Sequence, residues 1–366
     1  MHISQQSQTT PRTVPPQQES APRATPQAST APRVLSGALL RLTLADLAYF
    51  SAAGVAIYTL PVFVTGPLGS GRAGAGLAFG AFAVTALVLR PFAGRLSDRH
   101  GRRPLLVGGA ALAAVALLLT GFVDHLGLVV ALRLVLGVAE ATFMVASFAT
   151  VADLAPPGQM GRALSYNSLG LYVGLAAGPP LGELLVTGLG YRAAWTGAAV
   201  FAVLATLLVR RLPETRTPSQ AEVAPNPPLI HRPSIPPALG FLASTIAMSA
   251  FLAFAALHAG AVGLGRASLP LTVYGLVVVL GRISFARWMD AGDPHRLAAA
   301  ALVVMTAGLG LAASWQAPAG LLVGAGPIVL GLVAESLGLS WVFGAGAAVA
   351  LVGGAWTLAL ATRPRR

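Results

Sequence analysis

The chain has 366 residues, is 55% hydrophobic and only 10% charged, and carries a formal net charge of +12. A soluble domain carries roughly a quarter charged residues, so this composition, with its mean hydropathy of +0.73, excludes a water-soluble fold. The absence of cysteine also excludes disulfides, thiolate metal sites and thiol catalysis.

Residues 1–36 are rich in Ser, Thr, Gln and Pro and lack an apolar core, which predicts a disordered tail and no cleavable signal peptide. Eleven runs of about 18 or more apolar residues follow, centred near residues 53, 84, 114, 138, 175, 203, 250, 279, 305, 327 and 351. Each is long enough to cross a bilayer core as a helix, and helices satisfy their own backbone hydrogen bonds in lipid. The predicted fold is an all-α polytopic membrane protein.

All 24 basic residues are arginine, and their placement assigns the two sides of the membrane. With the chain starting inside, the tail, the turns after the second, fourth and eighth runs, and the middle linker hold 17 arginines. The other side holds three: Arg72, Arg192 and Arg266. This positive-inside asymmetry predicts a cytoplasmic N-terminus in the cell inner membrane and accounts for the charge without nucleic acid. The Pro-rich stretch 213–237 separates six runs from five. It predicts a six-helix half over 37–212, a cytoplasmic tether, and a shorter helical half over 238–366.

Ionisable residues inside apolar runs are functional candidates because placing them in lipid is costly. Asp46 lies in the first run beside Tyr49 and Phe50, and Glu183 lies near the outer end of the fifth. In the fourth run Arg133 and Glu140 are seven residues apart, on one face and about 10 Å along the axis. A desolvated carboxylate there can exchange protons near neutral pH, so Glu140 and Asp46 are proton-site candidates, with Arg133 as their modulator. Tyr58, Phe143, Phe251, Phe254 and His258 are candidate substrate-cavity residues, with core packing as the alternative role. The six histidines show no metal-ligand spacing and no catalytic constellation is visible, so neither metal, cofactor nor enzymatic activity is expected.

The turn after the second run reads GRLSDRHGRRP, Gly94 to Pro104. Its Gly94, Asp98, Arg99, Gly101, Arg102 and Arg103 match G-x-x-x-D-R-x-G-R-R, and at this place the stretch resembles the signature of the major facilitator superfamily. The resemblance implies two six-helix halves rocking about a midplane cavity, with this turn latching them in one state. In the fifth run Gly170, Gly174, Gly178 and Gly182 recur every fourth residue, with Pro179 and Pro180 between the last two. A glycine row alone reads as close helix packing. The stretch is also similar to the family's antiporter motif, G-x-x-x-G-P-x-x-G-G, with Glu183 where the second closing glycine is expected. Arg133 with Gly137 resembles the family's R-x-x-x-G element.

Together these resemblances imply proton-coupled efflux of a small organic molecule by a monomer. Uptake of a sugar or metabolite, and a non-transporting member with an internal deletion, are the alternatives. The last of these arises from the repeat between halves. GRLS at Gly94 recurs as GRIS at Gly281, an offset of 187, whereas GPPLG at Gly178 recurs as GPIVLG at Gly326, an offset of 148. An intervening loose match at Leu126 and Ala319 has an offset of 193, so about 45 residues are missing just before Gly326. The second half is therefore expected to be incomplete, giving eleven spans where the family has twelve.

Overall fold

The computed structural model describes residues 36–216, 235–289, 307–312, 314–315 and 317–323. Within 235–289, side chains are described for 248–280. Every regular element among the described residues is helical, and the long helices are α1 (Gly37–Thr65), α2 (Gly71–His100), α3 (Arg102–Thr120), α4 (Leu126–Leu154), α5 (Met160–Leu189), α6 (Tyr191–Arg210), α7 (Ile235–Ala261) and α8 (Leu269–Met289), with residues 307–312 and 318–323 also helical. The first six are long and apolar enough to cross a membrane, and α7 and α8 contain shorter apolar helical stretches, Met248–Ala261 and Leu269–Leu280. The expected run near 351 and the part of the run near 327 beyond residue 323 lie outside the described residues, as do the proposed shortfall and the 1–35 tail.

Local chemistry sets the helix ends. Ser36 caps α1 by accepting from the Leu39 N–H at 3.1 Å, and His125 Nδ1 caps α4 by accepting from Leu128 at 3.3 Å. Gly101, at φ +101°, ends α2 and starts α3, while Gly190, at φ +87°, joins α5 to α6. Such left-handed joints favour glycine and let consecutive helices reverse within one residue.

The apolar runs hold few bulky side chains at their contacts, so packing rests on small residues. The helix α1 is the hub, lying against α5 and α6, with α2 against α4 and α3 against both α4 and α6. Along α5 the glycine row lies on the α1 backbone: Gly170 on Thr43, Gly174 on Leu47 and Ser51, Gly178 on Gly54 and Gly182 on Val55. Gly137 of α4 meets Phe82 and Thr85 of α2 in the same way. Larger side chains fill the layer near Trp195, which is fully buried and edge-on to Phe63 at 5.9 Å between ring centroids.

Two ends of this bundle are distinct. At the basic end Arg41 donates to the Arg211 carbonyl and Arg103 to the Arg210 carbonyl. The far end carries the α1 and α5 C-termini and the start of α8. By contrast with those covered contacts, α2 leaves Leu77, Val84, Leu87, Val88 and Phe92 exposed, as suits a face toward lipid.

Candidate functional site

Arg133, Glu140 and Ser147 stand seven residues apart on α4, a polar line along one face. Each meets a different neighbour. Arg133, 5% exposed, directs Nε at the Ala78 carbonyl of α2 at 3.4 Å and lies over the Phe79 and Phe82 rings at 5.5 and 4.6 Å. These cation–π contacts stabilise a guanidinium held away from water. Glu140 pairs with Arg90 of α2 at 2.9 Å, leaving its Oε2 and the Arg90 Nε buried without a partner among the described residues. The two charges of α4 thus do not pair with each other, consistent with their axial separation.

Ser147 belongs to the most enclosed polar group. The Asp46 carboxylate, 2% exposed, accepts from Ser147 Oγ at 2.9 and 3.1 Å and from Asn167 Nδ2 of α5 at 2.6 Å. Asn167 Oδ1 in turn accepts from Thr43 Oγ1 at 3.4 Å. Three helices of the first half therefore converge on one carboxylate, and burial is tolerable only because its oxygens are hydrogen-bonded. Tyr49 lies one turn from Asp46, within the electrostatic reach of Asp46, Glu140 and Arg133, and its ring stacks on Phe143 at 4.0 Å and 8°.

The other candidates separate into two places. Phe143 is fully buried inside the first half, whereas Tyr58 and Phe251 share a second cluster with Tyr274, at the seam of α1, α7 and α8. Phe254 lies toward Gly76 of α2, and His258 is half-buried on the same face of α7, its Nε2 without a partner among the described residues. The seam thus gathers aromatic groups and one imidazole between residues of both halves.

At the basic end Arg102 ties the charged turn to α4. Arg102 binds Asp98 at 2.5 Å, Asp153 of α4 at 3.3 Å and Ser97 Oγ at 3.2 Å, while Asp98 itself remains 70% exposed. Gly94 makes no tight contact: a Cβ there would meet Val145 at 4.0 Å. The expected role of this turn as a latch between the halves involves a second half of which residues 290–306 and 324–366 lie outside the described ones.

The sequence reading missed Glu214. Its carboxylate accepts from the Arg102 and Arg103 N–H groups at 2.8 and 3.1 Å, capping α3, and also from the Thr215 and Arg216 N–H groups. Thr215 Oγ1 donates to Asp153 at 2.8 Å, so the first residues assigned to the tether are bound to the bundle. Burial opposes the charge on Glu214, but the four N–H donors prevail and hold its carboxyl below the usual 4.5. Its bonds to α3 therefore contribute fully above that value, and are lost as pH falls through the lower folded value. Glu214→Ala is expected to cost about 1 kcal/mol as the loss of a helix cap, read as a lower thermal midpoint at pH 7. The difference from the parent should shrink toward acidic pH.

Comparison with known proteins agrees with this architecture. Residues 42–323 match the model of the family described as Major Facilitator Superfamily. Multidrug resistance protein 2 of Bacillus subtilis (strain 168) is 32% identical over 35% of this chain and 32% of its own length. An MFS-type transporter of Salmonella typhimurium (strain LT2) is 25% identical over 83% of this chain and 78% of its own. One from Burkholderia mallei (strain SAVP1) is 31% identical over 72% and 66%. The chain thus spans from about a third to about three quarters of the length of these relatives. Among solved structures, the human organic anion transporter MFSD10 (TETRAN) superposes with a TM-score of 0.62 at 19% identity, covering 88% of this chain and 91% of that one. The nucleoside transporter NupG gives 0.66 at 13%, covering 88% and 98%. These last two likenesses concern the fold. The matched family model spans most of the chain, and the protein belongs to the major facilitator superfamily of multi-pass membrane transporters.

Proposed function

We propose that the protein exports a small organic molecule in exchange for protons, by alternating access between two helical halves. The reading rests above all on the line Arg133–Glu140–Ser147, with Tyr49 beside it and Asp46 at its end. Asp46 and Glu140 are the groups that take up and release protons. Arg90 is the ion-pair partner of Glu140, and Arg133 is the modulating charge on the same face of α4. The substrate is held at the aromatic seam formed by Tyr58, Phe251, Phe254 and His258. The likeness to multidrug resistance protein 2 of Bacillus subtilis favours a drug-like molecule over a sugar. The Asp98 turn serves as the latch at the basic end. By its arginine excess that end faces the cytoplasm, with the N-terminus, in a bacterial-type inner membrane.

The test is ethidium movement in proteoliposomes made acidic inside. Gradient-dependent accumulation that a protonophore abolishes is the expected result. Glu140→Gln, which cannot exchange a proton at neutral pH, is expected to remove the gradient dependence while the protein remains monodisperse. Ethidium movement indifferent to the gradient in the parent protein would overturn the proton-coupled reading.

A further inference from the structure

Glu183 does not belong to the proton line, and in the sequence it stands where the resembling motif has glycine. The structure gives it a position between the halves. It is carried by α5, six residues from the far end. One carboxylate oxygen accepts from the Ala267 N–H at 2.8 Å. The other accepts from the Ser268 N–H at 3.3 Å and from the Ser268 hydroxyl. Ser268 is 3% exposed and immediately precedes α8, so the carboxylate engages the free N–H groups and positive dipole end of a helix in the second half.

The remainder of this seam is of another kind. One and a half turns into α8, a Cβ added at Gly275 would lie 2.5 Å from the Ala176 Cα of α5. Helix packs closely on helix at that point, and the side chains of α5 and α8 around it are mostly apolar, among them Leu175, Val186, Leu271 and Val278. An apolar seam with a polar grip at its end separates by releasing the grip.

We propose that Glu183 is a clasp that holds the two halves closed at the far end. The proposal rests on the reading that the halves rock, since opening the cavity at this end requires α5 and α8 to part. A glycine at this position would leave Ala267 and Ser268 without their acceptor, so the far end would open more readily. The glutamate therefore weights the protein toward its far-end-closed state and sets how often the cavity is presented there.

The cysteine-free chain allows a direct test. Cysteines are placed at Leu189, which is 75% exposed, and at Gly265, where an added Cβ meets nothing within 4 Å. Both are spin-labelled in the full chain in lipid nanodiscs, and the distance distribution is recorded by pulsed electron resonance. Two populations are expected, short and long. Glu183→Gly should raise the long-to-short ratio roughly tenfold, as expected for losing hydrogen bonds to a charged group. Glu183→Gln keeps the length and one acceptor oxygen and should fall between, and Ser268→Ala should give the smallest rise.

Unchanged weights in Glu183→Gly and Glu183→Gln would overturn the clasp. So would one broadened distribution with displaced peaks, which marks local loosening rather than a shifted equilibrium. If Glu183→Gly does not assemble, Glu183→Gln decides alone. The measurement needs no substrate and no proton gradient, so its outcome is separable from that of the ethidium experiment.

Discussion

Replacing Gly174 with valine is expected to prevent the first helical half from assembling, seen as loss of the monodisperse peak in detergent. A Cβ at this position would lie 2.5 Å from the Leu47 carbonyl oxygen and 2.8 Å from the Ser51 nitrogen, both backbone atoms of α1. Backbone cannot swing aside as a side-chain tip can, so α1 and α5 must separate along their shared length. Overpacking commonly costs about 1–3 kcal/mol, and a clash with a hub helix belongs at or above the top of that range. That is a large part of a total stability of about 5–15 kcal/mol. Gly174→Ala should lower the thermal midpoint without abolishing assembly. Full thermal stability of the valine variant would show that the two helices are not in this register.

At Asp46 the expected effects on stability and transport come apart. Asp46→Ala leaves Ser147 Oγ and Asn167 Nδ2 buried without their acceptor, at a cost of about 1–3 kcal/mol. It should lower both the thermal midpoint and transport. Asp46→Asn keeps shape and one acceptor oxygen, so it should remain folded yet lose gradient-driven movement while still allowing exchange without a gradient. Loss of both modes in a stable Asn variant would give Asp46 a structural role and leave Glu140 as the proton site. A second substitution, Asn167→Asp, would place two carboxylates 2.6 Å apart and is the harsher check on the same group.

The spans and the place of the charged turn between α2 and α3 were legible in the sequence because each depends on local composition or a contiguous pattern. The eight long helices fall on the first eight apolar runs, since a bilayer allows hydrophobic length little other expression. The glycine row at positions 170, 174, 178 and 182 also showed its meaning locally: a row of missing side chains is a surface for another backbone. What it lies against, α1, is a tertiary choice that periodicity on α5 does not contain.

The polar partners were the least legible. Asn167 is a single amide in an apolar run, Ser147 a single hydroxyl, and Arg90 looked like one more arginine near a turn. Each acquires its role from a residue 50 to 121 positions away in the chain. The spacing of seven from Arg133 through Glu140 to Ser147 was the available signal, and extending it one step would have brought Ser147 into the line. Glu214 was hidden by its setting, because the Pro-rich stretch around it suggests a tether and gives no hint that its start folds back onto α3.

The joints at Gly101 and Gly190 have a consequence for how this chain changes over generations. Where two helices meet through a single left-handed residue, an inserted or deleted codon rotates the next helix by about 100° and turns its buried stripe toward lipid. The connection at 155–159 between α4 and α5 holds five residues, including Pro156, Pro157 and Gly158, and can absorb the same change in its own backbone. Length variation among descendants of this sequence is therefore channelled into such longer connections, and α2–α3 and α5–α6 are inherited as fixed hairpins.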